Sequence, residues 1–190
     1  VGASEREYPL FVLEPCQVQG ALRSDLEKWT AEFEPLDFDA GRRAKAWLET
    51  NLSTGVIPLT TYLVFSEDET ELYGFFVLDD VEVDVAPFDR PIMKARKSIK
   101  NVNAERHPAT KLVWIARGES SPAGFGQEMF EHALLLAKEA GSCALLVDAA
   151  DQETAERLWI EHYDMRKPRD GAAEWTCLWH TLGDPNEHFN

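Results

Sequence analysis

The sequence predicts a mixed α/β (α+β) fold, a central mixed sheet flanked by helices. Three observations carry that expectation. Residues 59–66 and 72–78 are rich in aromatic and β-branched side chains and flank an acidic, turn-like stretch, so they read as an antiparallel hairpin. Further along, the order becomes strand, helix, strand, helix, strand. Residues 143–149 form an almost continuous apolar run, the mark of a buried strand. Hairpins followed by alternating elements exclude a regular βαβ repeat.

Taken in order, Tyr8 to Leu13 reads as a short strand ended by Pro15. Ser24 and Glu27 form a capping-box signal ahead of Leu26, Trp29 and Phe33, which predicts an amphipathic helix over residues 24–34. Asp39 is a candidate cap for a second helix from about Ala40 to Leu52, with Ala44, Trp47, Leu48 and Leu52 on one face and Gly55 and Pro58 ending it. The hairpin continues through the strict alternation of Val81, Val83 and Val85. Lys111 to Arg117 is a strand, and Ala123 to Ala140 a helix stopped by Gly141. A shorter helix from Gln152 to His162 and a strand from Trp175 to Thr181 close the chain.

The 190 residues suit one domain, 1–190, with 44% hydrophobic and 28% charged residues, the balance of an ordinary globular chain. No apolar window is long enough to span a bilayer, and the polar start is unlike a signal peptide. Cys16, Cys143 and Cys177 lack metal-site or disulfide spacing, which suits a reducing cytoplasm; no metal is expected. The net charge of −15 is uneven: residues 91–118 carry seven basic side chains and one acidic, whereas both flanks are strongly acidic. An acidic field repels nucleic acid at long range, while the basic island of Lys94, Arg96, Lys97, Lys100 and Arg106 can grip phosphates, meet an acidic protein, or offset the acidic remainder within a homodimer.

The chemistry centres on Gly124-Phe125-Gly126, between a strand and the start of a long helix. Glycines there let backbone amides approach a ligand, and a helix N-terminus favours phosphate. A dinucleotide fingerprint fits poorly, because Met129 replaces the third glycine and the loop from Arg117 is too long.

The strand Leu112 to Arg117, the loop Ser121-Pro122-Ala123-Gly124-Phe125-Gly126, the following helix, the strand Leu145 to Ala149 and the segment Gln152 to Trp159 resemble the CoA-binding half of a GNAT acyltransferase, here residues 111–168. Phe38-Asp39-Ala40-Gly41, Trp47-Leu48 and Tyr73-Gly74-Phe75-Phe76 are similar, more narrowly, to GNAT toxins of toxin–antitoxin pairs. The resemblance covers residues 36–168 and leaves residues 1–34 as an extension. It implies an N-acyltransferase moving an acetyl group from acetyl-CoA to a primary amine, with aminoacyl-tRNA as the acceptor in related toxins and an antitoxin-like protein as a further partner. It also implies that the strand ending at Ala116 splays from its neighbour, that the pantetheine arm lies in the cleft, and that a backbone N–H near Ile115 or Ala116 polarises the thioester. Arg117, Ser121, Ala123, Gly124, Phe125, Gly126 and Gln127 would complete the CoA site.

Two departures from the family pattern stand out. Ser121 takes the place of a long Gln or Arg donor, and Trp159 the place of the general-acid tyrosine; an indole cannot act as an acid near neutral pH. The glycine-aromatic ending after that helix is replaced by Tyr163-Asp164-Met165. Tyr163, one helical turn beyond Trp159, either supplies the phenol or is a packing residue. The alternative function is a non-catalytic module binding CoA or a protein. His107 reads as a catalytic candidate or a turn residue, Glu128 and Glu131 as a solvated face, and Trp114, Trp159, Trp175 and Trp179 as core or as an acceptor pocket.

Overall fold

A computed structural model describes residues 8–36, 39–84, 106–149, 152–167 and 178–182. Its elements run β1 (Leu10–Leu13), β2 (Cys16–Gln17), α1 (Gly20–Glu32), α2 (Asp39–Thr54), β3 (Val56–Ile57), β4 (Thr60–Phe65), β5 (Leu72–Asp84), β6 (Arg106–Arg117), α3 (Phe125–Glu139), β7 (Ala144–Val147), α4 (Gln152–Thr154) continuing as a π-helix (Ala155–Ile160), and β8 (Leu178–Thr181). Six strands form one sheet in the order β1-β4-β5-β6-β7-β8, while β2 and β3 make a separate ribbon. β1 runs antiparallel to β4, β6 parallel to β7, and β7 antiparallel to β8. The sheet is therefore mixed, as the element order predicts.

The residues group into two compact units, Val1–Val77 with Trp114–Met129, and Leu78–Val113 with Phe130–Asn190. In the first, α1 and α2 bury Leu26, Ala44, Leu48 and Leu52. Trp29 meets Phe65 edge-on with ring centres 4.7 Å apart, and Phe33 meets Phe75 at 5.7 Å. Such pairs add to simple area burial. Gly55, at φ +73°, closes α2 by donating to the Leu52 carbonyl, a conformation that costs a residue with a Cβ. The first helix begins earlier than the capping signal places it. No side chain caps it, and Ser24 lies inside it because Glu27 pairs with Arg23 at 2.7 Å instead of folding back. The guanidinium also donates to the Ser53 carbonyl at the end of α2.

The second unit has its own core of Ala109, Cys143, Ala144, Leu146 and Trp179, with Val81 and Val83 against it. β6 starts five residues before the predicted strand. Pro108 is tolerated there because it lacks only a donor, and its carbonyl accepts from the Cys143 amide at 2.8 Å. α3 ends in two bonds, Ser142 N to Ala137 O and Gly141 N to Lys138 O, with Gly141 at φ +78°. That is the Schellman arrangement expected of a glycine stop. The helix predicted at 152–162 is only one α-turn long. From Ala155 its ladder widens, with Glu161 N bonded to Glu156 O and Tyr163 N to Leu158 O. Among the described residues no helix is long and apolar enough to cross a membrane.

Candidate functional site

The geometry around β6 singles out one stretch of backbone. On one edge, the Gly118 amide just past the strand donates to the Tyr73 carbonyl of β5 at 2.7 Å. The other edge changes partner along its length. It pairs with β7 from Thr110↔Leu145 to Leu112↔Val147, where that register ends. At residues 117–119 the connector between α1 and α2 takes over, with Leu36 N to Arg117 O at 3.0 Å, Glu119 N to Glu34 O at 2.9 Å and an antiparallel bridge between Pro35 and Gly118. Among the described residues, Val113 to Ala116 take part in neither of these two sets of pairs. Ile115 is half-buried and Ala116 is buried.

The close approach of β5 to this stretch explains a glycine. A Cβ on Gly74 would stand 2.8 Å from the Ala116 carbonyl oxygen and 2.8 Å from Met129 Sδ on α3. Gly41 is set likewise, since a Cβ there would lie 3.1 Å from the Leu36 carbonyl oxygen of the connector.

Beyond β6 the chain turns into α3 through Ser121 to Gly124. Gly124 sits at φ +87° with open space around it. Of the five amides from Ala123 to Gln127, two are used internally: Phe125 N reaches Pro122 O at 3.2 Å and Gln127 N reaches Gly124 O at 2.8 Å. Those of Ala123, Gly124 and Gly126 make no such bond among the described residues, which leaves three donors for an anion at the helix start. Two predicted contacts change character here. The Phe125 side chain is 1% exposed and packs against Tyr8 at 5.1 Å and Tyr73 at 5.8 Å, so it anchors the loop rather than facing a ligand. Ser121 donates its hydroxyl to the Gly118 carbonyl at 2.7 Å and does not replace the long donor with a free one.

The segment 1–34, outside the sequence resemblance, contributes to this unit through Tyr8, β1 and α1. No periodicity signals that Tyr8 supports the glycine loop; only the fold brings it there.

In the second unit, Trp159 is 6% exposed and packs on Phe130 at 5.8 Å. Tyr163 is half-buried, 4.2 Å from the Phe130 ring and 5.4 Å from Trp159, so the two aromatic residues do share a face. Asp164 then takes φ +50°, and Met165, 2% exposed, donates its amide to the Trp159 carbonyl. Asp164 therefore adopts the left-handed turn for which glycine is best suited, with Met165 as the buried side chain after it.

The remaining candidates separate by environment. His107 is 5% exposed, with Nε2 lacking a hydrogen-bond partner among the described residues, and is neither a turn nor a surface residue. Glu128 and Glu131 are exposed, a solvated face as expected. Trp179 is core, whereas Trp175 lies outside the described residues. Of the basic island, Lys94, Arg96, Lys97 and Lys100 also lie outside them. Arg106 donates to the Glu82 carbonyl at 3.2 Å, and Lys111 pairs with Asp148, so both of these charges have local partners. Cys143 is 1% exposed, and burial pushes its thiol up to about 11, which removes it as a thiolate nucleophile near neutral pH.

No family model matches the sequence, and no curated protein matches it. Among solved structures the chain is similar to AtaT complexed with acetyl-methionyl-tRNAfMet, with a TM-score of 0.61 and 13% identity over 91% of this chain and 95% of that one. A mutant of KacT gives 0.58 at 14% identity, over 91% and 95%. A mutant AtaT toxin bound to the C-terminus of the antitoxin AtaR and acetyl-CoA gives 0.56 at 14%, over 93% and 94%. A likeness covering 91% of the chain takes in part of the first 34 residues, beyond the span that the motifs carry. At these identities it speaks for architecture alone, and the chain has the mixed α/β GNAT fold that these structures share.

Proposed function

We propose that this chain is an N-acyltransferase that moves an acetyl group from acetyl-CoA to a primary amine. The observation that carries the reading is the start of α3, where among the described residues the Ala123, Gly124 and Gly126 amides make no backbone bond, just beyond the end of β6. An extended arm with amide groups suits a strand edge, because it can pair as a strand does. A pyrophosphate suits the Ala123, Gly124 and Gly126 amides, where the helix dipole adds to the hydrogen bonds. Two similar solved structures named for bound acetyl-CoA, and one for a complex with acetyl-methionyl-tRNAfMet, support acetyl-CoA as the donor.

Acetyl-CoA supplies an activated thioester carbonyl. An N–H on β6 near Ile115 would hold the oxygen of that carbonyl as it gains negative charge. The neutral amine attacks the carbonyl carbon, the new C–N bond forms, the C–S bond breaks, and the amine proton must leave as the thiolate takes one up. A CoA thiol near the cysteine value of about 8.5 leaves without full protonation, so a missing acid slows the reaction rather than forbidding it. Tyr163 is the phenol that can supply the proton. Trp159 belongs to the core and contributes shape.

The acceptor is an amine of unassigned identity. Aminoacyl-tRNA suits the likeness to AtaT, while the net charge of −15 works against RNA at long range. A second reading, a non-catalytic module that binds CoA, is favoured by the loss of tyrosine at Trp159 and of the long donor at Ser121. Labelled acetyl-CoA, incubated with the protein and either an amine mixture or charged tRNA, separates the two. The enzyme consumes acetyl-CoA only with an acceptor present. The module is stabilised by CoA against heat and consumes none.

A further inference from the structure

The C-terminal end of α1 borders a cleft of about 470 Å³ within the first unit, in the size range of small-molecule sites. Trp29 and Phe33 line it, and Trp29, half-buried, presents aromatic surface to it. Glu32, Glu34, Glu71 and Glu119 line it as well, all of them exposed. Their charges are poorly balanced. Lys45 Nζ stands 4.0 Å from Glu34, while Glu32, Glu71 and Glu119 have no ion pair among the described residues.

Two features of the backbone deepen this negative field. α1 ends at Glu32 with no basic residue in its last turn, where the helix dipole already favours positive charge. The bridge between Pro35 and Gly118 also sets Glu34 directly opposite Glu119, with Glu119 N bonded to Glu34 O at 2.9 Å. Like charges opposed in this way destabilise a pairing. A cation in the cleft relieves both. The lining also decides which kind of cation. Among the described residues no three carboxylate, imidazole or thiol side chains converge as metal ligands, so the charges are spread around the cleft rather than focused on one point. An aromatic wall attracts ammonium groups by cation–π contact and covers methylene stems as well. Spread carboxylates and an aromatic wall together fit an extended cation whose charges are separated by methylenes.

We propose that this cleft binds a linear alkyl polyamine, with its ammonium groups on Glu34, Glu119 and their neighbours and its methylenes against Trp29. The ligand has the opposite charge to the one that suits the α3 amides. No CoA takes part in binding it, so the test is separate from that of the acyl-donor reading.

That test is calorimetric titration of spermidine into the full chain at fixed ionic strength. The proteins are the wild type, a Glu34→Gln, Glu119→Gln double variant, Trp29→Phe, and Asp25→Asn as a control that removes an exposed charge elsewhere on α1. We expect saturable binding by the wild type and a loss of about two- to fivefold for each carboxylate removed. Trp29→Phe should lose about twofold, because a phenyl ring attracts cations less than an indole. Asp25→Asn should bind as the wild type does, and magnesium chloride at the same ionic strength should not displace spermidine. Absence of saturable binding by the folded wild type overturns the assignment. So does wild-type affinity in the double variant, an equal loss in Asp25→Asn, or displacement by magnesium, each of which makes spermidine a diffuse counterion. A lysine tripeptide that binds more tightly than spermidine would give the cleft to protein side chains instead, and would overturn it as well.

Discussion

Replacing Gly74 by alanine probes the packing of β5, β6 and α3 around the candidate site. The added methyl would meet the Ala116 carbonyl oxygen at 2.8 Å, Met129 Sδ at 2.8 Å and Met129 Cε at 3.0 Å. All three are shorter than comfortable contact. The thioether can swing away at modest cost, since methionine is flexible. The carbonyl cannot, because it belongs to β6 and moves only with the strand. Overpacking of this kind typically costs about 1–3 kcal/mol, and the backbone contact argues for about 2. In a chain of this size that corresponds to a fall of about 4–8 °C in melting temperature. Differential scanning calorimetry of Gly74→Ala reads it directly. Repeating the change in a Met129→Ala background removes the sulfur contact and keeps the carbonyl one, so part of the destabilisation should persist. Because the strain falls on Ala116, next to Ile115, CoA affinity should drop as well. A Gly74→Ala protein with the wild-type melting temperature would refute the argument that β5 and β6 admit no side chain there.

Other positions give independent checks. In a Cys177→Ser background, Cys16 should react promptly with a disulfide reagent at pH 8, while Cys143, held protonated by burial, reacts only after unfolding; prompt reaction of both thiols would contradict the packed second core. Asp164→Gly should leave stability unchanged or raise it by up to about 1 kcal/mol in a denaturant titration, because the left-handed turn at φ +50° costs aspartate more than glycine. If Tyr163 is the proton donor, Tyr163→Phe lowers kcat by about 10²-fold or more with little change in CoA affinity, whereas Trp159→Tyr leaves activity equal or raises it. A kinetically silent Tyr163→Phe in an otherwise fast enzyme would place the donor elsewhere.

Much of the architecture was legible because the side-chain periods were clean. The alternation in β5, the apolar run of β7 and the buried face of α3 through Met129, Phe130, Ala133 and Ala137 each point to one element type. The errors arose where local pairing competes with pattern. Ser24 and Glu27 spell a cap, yet an Arg23 four residues ahead claims the glutamate. The π-turns at Ala155–Ile160 were invisible because widening the ladder still leaves Trp159 and Tyr163 in contact on one side. At the site, the glycine loop was legible from glycine spacing, but its internal bookkeeping was not. That Ser121 spends its hydroxyl on Gly118, and Phe125 its side chain on Tyr8 and Tyr73, depends on segments far apart in sequence. The connector at Glu34 to Leu36 is another such case, since no composition signal marks three residues that cap the edge of a strand eighty positions away.

The central claim is that the amides at the start of α3 hold the pyrophosphate of CoA, and titration calorimetry of CoA into the wild type, Gly124→Ala and Gly124→Glu tests it most directly. Both substitutions impose the same backbone strain at φ +87°, and neither side chain meets a neighbour at its Cβ, so they differ in charge and reach at the phosphate position. The account predicts binding by the wild type, weakened binding by Gly124→Ala and none by Gly124→Glu, with similar melting temperatures for the two variants. Equal CoA affinity in Gly124→Glu and the wild type would contradict it.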